Sequence, residues 1–104
     1  MRKLFVAPLA AAALIAALVV AIPAQGASSV SVKDNFFSPK SKSVKKGSTV
    51  KWTWAGRAPH NVTFRSRHSS TKTKGTYSVK FSNKGTFAYR CTIHPGMVGT
   101  IKVK

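Results

Sequence analysis

The sequence predicts an all-β domain, a sandwich or barrel of about seven short strands, preceded by an export signal. Three observations carry this. Apolar residues recur at every second position in short segments, turn-forming residues separate those segments, and a near-continuous apolar run occupies only the first 26 residues. No segment after that run repeats with a helical period.

The N-terminal run comes first. Arg2 and Lys3 form a short positive region, Leu4 to Ile22 is almost wholly apolar, and Pro23 to Gly26 are small or turn-prone. This is the layout of a secretory signal peptide, with Ala24-Gln25-Gly26 as the small-x-small cleavage site before Ala27. Residues 1–26 are therefore expected to be a signal peptide and residues 27–104 a single domain. The run also approaches the length of a membrane span, so an uncleaved anchor is the alternative. No cysteine lies near its end, which excludes a lipid anchor on cysteine.

The strands follow in order. Val30 and Val32 alternate with serines and Lys33, and Val50, Trp52 and Trp54 alternate with Thr49, Lys51 and Thr53. His60, Val62 and Phe64 share one parity, as do Tyr77, Val79 and Phe81. Phe87, Tyr89 and Cys91 do the same, then Ile101 and Val103. The opposite parity is mostly Lys, Arg, Ser or Thr, as in a strand with one face on a core and one in water. Ser38-Pro39, Lys46-Gly47-Ser48, Ala55-Gly56, Lys74-Gly75, Asn83-Lys84-Gly85 and Pro95-Gly96 punctuate the segments. The polar stretch from Arg65 to Lys74 is expected to be an exposed loop.

A 78-residue exported domain has a small core and commonly leans on disulfides or a metal. Its single cysteine, Cys91, cannot form an internal disulfide, which leaves the metal. Sixteen lysines and arginines face one acid, Asp34, a formal charge of +15 for residues 27–104. Such a field favours acidic partners and anionic surfaces. Export and the even scatter of the lysines argue against nucleic acid.

Cys91-Thr92-Ile93-His94-Pro95-Gly96-Met97 concentrates the chemistry. Thiolate, imidazole and thioether are donors of mononuclear copper sites, which take one thiolate, two imidazoles and a weak axial thioether. His60 supplies the second imidazole. By parity, Cys91 enters the interior at the end of one strand and His60 at the start of another. Pro95-Gly96 then turns His94 and Met97 back over them. Zinc is the rival metal, but methionine is not a usual zinc ligand, and with Asp34 the only acid a hydrolytic site has no general base. His68 is expected to be solvated, Trp52 and Trp54 to be core, and the Asn61-Val62-Thr63 sequon to be inaccessible.

These residues resemble the cupredoxin (plastocyanin/azurin) family of small type 1 blue-copper proteins, with the short C-x-x-H-x-x-M loop of its amicyanin-like members. Also similar are the Phe87-x-Tyr89-x-Cys91 approach, the His60-Asn61 pair and the Asp34-Asn35-Phe36-Phe37-Ser38-Pro39 segment. The resemblance spans essentially all of residues 27–104. Ile93 and Gly96 depart from it, standing where relatives often carry proline and a bulkier residue.

The resemblance implies a Greek-key sandwich holding one copper ion. His60, Cys91 and His94 would be the equatorial ligands and Met97 the axial one, with Asn61 and Thr92 around them. In the family the residue after the first histidine gives its N–H to the thiolate, and an Asn side chain ties the ligand loops together. The implied function is one-electron transfer with no substrate turned over; the +15 charge adds an acidic redox protein as the expected transient partner of a monomer. The alternatives are a copper-buffering or delivery protein, and a cationic module that binds anionic membrane or cell surface with structural copper.

Overall fold

The computed structural model describes residues 27–104. The expected signal segment, residues 1–26, and its cleavage site lie outside the described residues. Seven strands follow in chain order: β1 (Ala27–Lys33), β2 (Phe36–Ser38), β3 (Ser41–Val44), β4 (Thr49–Trp54), β5 (Thr76–Lys80), β6 (Gly85–Arg90) and β7 (Val98–Val103). They form a four-stranded sheet, β2-β1-β4-β5, and a three-stranded sheet, β3-β7-β6. The chain passes between the sheets after β2, β3 and β5, the crossing pattern of a Greek-key sandwich. β1 and β4 run parallel, as do β3 and β7; the remaining pairs are antiparallel.

The period-two pattern sets which face is buried. In β4, Val50, Trp52 and Trp54 are buried while Lys51 and Thr53 are exposed. One cluster joins Val30, Val32, Val50, Trp52 and Val79 of the larger sheet to Val44, Tyr89, Ile101 and Val103 of the smaller. Trp52 is its centre, with ring centroids 5.3 Å from Tyr89, 5.7 Å from Phe64 and 6.1 Å from Tyr77. Tyr89 lies over Gly99 of β7, where any side chain would overlap its ring. Burial pushes the Tyr89 phenol up to about 12, so it stays neutral in the core.

Three local expectations change. β2 and β3 each place one side chain inward, Phe37 and Val44, too few for an alternation signal. The segment from His60 to Phe64 is not a strand. It is extended and makes only isolated bridges, His60 with Lys72 and Thr63 with His68 and Arg90. The stretch expected as an exposed loop, Arg65 to Lys74, supplies two of those bridges and buries Ser69. The β1–β4 register puts Ala27 beside Thr49 at one pole and Val32 beside Trp54 at the other. The candidate ligands collect at the second pole.

Candidate metal centre

Two chain segments meet there. On β6 the inward parity of Phe87 and Tyr89 continues to Cys91, one residue past the strand, and buries its sulfur. Alongside, Thr63 and Arg90 exchange both backbone hydrogen bonds, N to O at 2.9 and 3.0 Å. This bridge draws the 60–64 segment to the end of β6. The segment is fixed from the other side as well. His60 and Lys72 exchange backbone bonds at 3.0 Å, Trp54 Nε1 donates to His60 O at 3.1 Å, and Val62 N donates to Ser69 Oγ at 2.9 Å. Its polar groups are thus satisfied by a returning loop and by side chains, which accounts for the lack of a regular ladder.

The loop after Cys91 closes on itself. Met97 N donates to His94 O at 3.1 Å and Cys91 N to Met97 O at 3.0 Å. Gly96 has φ +84°, a left-handed conformation that disfavours residues other than glycine, which fits the turn made here.

His60 Nδ1 lies 3.2 Å from His94 Nδ1, and Cys91 Sγ 3.5 Å from the same nitrogen. The donor atoms of these three residues all fall within 4.8 Å of one another. Two nitrogens 3.2 Å apart can both lie about 2 Å from one ion, a normal metal–imidazole distance. The donor set, two imidazoles and one buried thiol, fits a soft, one-electron metal. His60 and Cys91 are buried and His94 half-buried, so the cluster opens to solvent on one side only. Met97, at 1% exposure, lies under the loop it ends.

Asn61 joins the two ligand segments. Its Oδ1 accepts from Thr92 N at 3.0 Å and Thr63 Oγ1 at 2.8 Å; its Nδ2 donates to Thr92 Oγ1 at 2.8 Å and Thr71 Oγ1 at 3.0 Å. The expected tie between ligand loops is therefore made by the Asn61 and Thr92 pair. Asn61→Ala should lower the unfolding free energy of the metal-free domain by about 1–3 kcal/mol, because it leaves buried groups unsatisfied. Urea denaturation checks this; a loss under about 0.5 kcal/mol would mean the tie carries little.

Sequence reasoning missed Asp34 as part of this site. Its Oδ1 lies 2.9 Å from His60 Nε2, 26 positions away in the chain. That hydrogen bond, with the N–H groups of Ala58 and Arg57, holds its carboxyl down to about 2. The available signal was that it is the only acid in a strongly basic chain. His68 is exposed and outside the cluster, and Asn61 is buried, so its sequon is not accessible.

A family model for copper-binding proteins of the plastocyanin/azurin family matches residues 24–104. Amicyanin-alpha of Methylorubrum extorquens is 40% identical over 87 residues, covering 76% of this chain and 73% of that protein. The plastocyanin of Scenedesmus fuscus is 34% identical over 84 residues, 65% of this chain and 86% of its own length. A solved structure of an amicyanin variant in its reduced Cu(I) form superposes with a TM-score of 0.70 at 31% identity, covering 76% of this chain and 83% of that one.

Proposed function

Because the chain belongs to the plastocyanin/azurin family of copper-binding proteins, we propose that His60, Cys91 and His94 hold one copper ion, with Met97 as a weak axial fourth ligand. The protein is a blue-copper electron carrier. The observation that carries the ligand assignment is the convergence of two imidazole nitrogens and one buried sulfur within 4.8 Å. Met97 is added on its burial and on the C-x-x-H-x-x-M spacing. Copper, when bound, supplies a one-electron Cu(II)/Cu(I) couple. His60 and Cys91 hold two positions from rigid, buried backbone, and Asn61 with Thr92 keeps the third ligand's loop in register. A donor set that does not rearrange between oxidation states keeps electron exchange fast.

His94 is the half-buried member of the set and the natural exit for the electron. Ile93, at 47% exposure, and the exposed Pro59, Pro95 and Gly96 make its surroundings apolar. An apolar centre in a +15 domain suits brief docking on an acidic redox protein. Electron exchange with such a partner should slow several-fold as ionic strength rises from about 0.01 to 0.15 M, as the screening length falls from about 30 to 8 Å. Stopped-flow rates that do not change with salt would remove the acidic partner from the account.

Burial of Cys91, His60 and Met97 speaks against copper delivery, which needs ligands that a recipient can reach. A carrier is also favoured over a catalyst, since the only carboxylate in the sequence is engaged with His60. Residues 1–26 act as the export signal and residues 27–104 as the working domain. Ala27, the first described residue, lies beside Thr49 at the pole opposite the ligands; the alternative is that the apolar run is retained as an anchor. N-terminal sequencing of the exported protein distinguishes the two.

A further inference from the structure

We propose that Asp34 is a positioning residue for the metal: its carboxylate fixes the tautomer and orientation of His60 and favours the oxidised ion over the reduced one. This rests on His60 being a copper ligand, as argued above.

Asp34 is the only acid in a chain with 18 lysines and arginines, yet it pairs with none of them among the described residues. It sits in the turn between β1 and β2, where its side chain is 42% exposed and reaches the buried His60 ring. Oδ1 accepts from His60 Nε2 at 2.9 Å, from Arg57 N at 3.0 Å and from Ala58 N at 3.0 Å; Oδ2 accepts from Arg57 N at 3.1 Å. One carboxylate thus grips both the imidazole and the backbone just ahead of it. The approach is built for this. A side chain at Gly56 would overlap the Asp34 carboxylate, so only glycine lets the 56–58 segment close around it.

The chemistry follows from direction. An ionised carboxylate can only accept, so Nε2 of His60 is the nitrogen that donates to it, and in the neutral ring Nδ1 keeps the lone pair that a metal would take. Nδ1 is the atom that faces His94 Nδ1 at 3.2 Å. A charge-assisted hydrogen bond at Nε2 also makes Nδ1 a stronger donor. A stronger donor stabilises the doubly charged ion more than the singly charged one, which lowers the reduction potential.

Asp34→Asn keeps an acceptor for the backbone N–H groups and for His60 but removes the charge; Asp34→Ala removes both. For Asp34→Asn we expect Cu(II) affinity to fall about 10–100-fold. The reduction potential should rise, by about 59 mV for each tenfold loss that Cu(I) affinity does not share. The urea midpoint should stay near wild type for Asp34→Asn and fall for Asp34→Ala. The potential shift should persist at about 0.5 M salt, since a direct hydrogen bond is not screened as a remote charge is.

An unchanged potential and affinity in Asp34→Asn would reduce Asp34 to a structural brace for residues 57–58. A shift that disappears at high salt would make it a remote charge. Either result overturns the proposal. Nitrogen-15 NMR of the metal-free wild-type protein tests the pairing without copper. It should find a proton on His60 Nε2, and a ring protonated on Nδ1 alone would contradict the proposal even if the copper reading held. If wild type fails to bind copper as a blue site, the ligand assignment fails, while the tautomer result still decides whether Asp34 holds His60.

Discussion

Cys91→Ser should abolish the intense visible absorption of the copper-loaded protein while leaving the sandwich folded. The absorption expected of the wild type arises from charge transfer out of a thiolate into Cu(II), and Cys91 is the only source of thiolate in the sequence. A serine hydroxyl stays protonated near neutral pH and is a hard oxygen donor, poorly suited to Cu(I). Copper held by the two histidines alone would give weak colour and lose stability on reduction. The fold should survive because β6 is anchored by its ladder to β7 and by the Thr63–Arg90 bridge, neither of which uses the sulfur. Visible absorption and circular dichroism on the same sample check both halves. A retained intense band would mean that the ligand is not Cys91. A collapsed dichroism spectrum would mean the residue is structural first.

The largest effect on stability should come from Trp52→Ala. Trp52 is fully buried and meets Phe64, Tyr77 and Tyr89, so it links the larger sheet to the ligand-bearing segments on both sides. Truncating a buried Trp to Ala costs about 3–5 kcal/mol. A domain of this size has a total stability of about 4–12 kcal/mol, so metal-free Trp52→Ala should be close to unfolding at room temperature. Copper binds the folded state and should recover part of the loss. Urea titration followed by fluorescence of the remaining Trp54 measures this with and without Cu(II). A loss under about 1 kcal/mol would show that the aromatic cluster repacks and that Trp52 is not its centre.

The legible parts of this protein were those written in one repeated rule. Alternation at Val50-Trp52-Trp54 and Phe87-Tyr89-Cys91 carried through to inward faces because each strand has two or three apolar positions to report its parity. β2 and β3 escaped because a strand of three or four residues with one inward side chain looks like a turn. The 60–64 segment misled in another way. Its parity at His60, Val62 and Phe64 matched burial, but Asn61 is buried too, because the segment has structure on both sides. Parity cannot tell such a run from a strand, since the hydrogen bonds that separate them come from Lys72, Ser69 and Arg90.

The site divides along similar lines. All four proposed donors were readable from residue type and spacing, since Cys91, His94 and Met97 lie within one loop and His60 is the only other histidine on an inward parity. Asp34 was not, because its role depends on a turn geometry and on a glycine 22 positions later that leaves room for its carboxylate. A contact set by the meeting of two loops has no local periodicity to betray it. The scarcity of acid in the chain marked the residue as unusual without saying what it touched.

The proposed copper site is one in which His60, Cys91 and His94 close around one ion and the sulfur is bound to it. The most direct measurement is the electron paramagnetic resonance spectrum of the domain loaded with one equivalent of Cu(II), taken with its visible spectrum. An intense blue absorption is expected, together with the unusually narrow copper hyperfine splitting that strong thiolate bonding produces. A colourless protein with the wide splitting of ordinary tetragonal copper would contradict it.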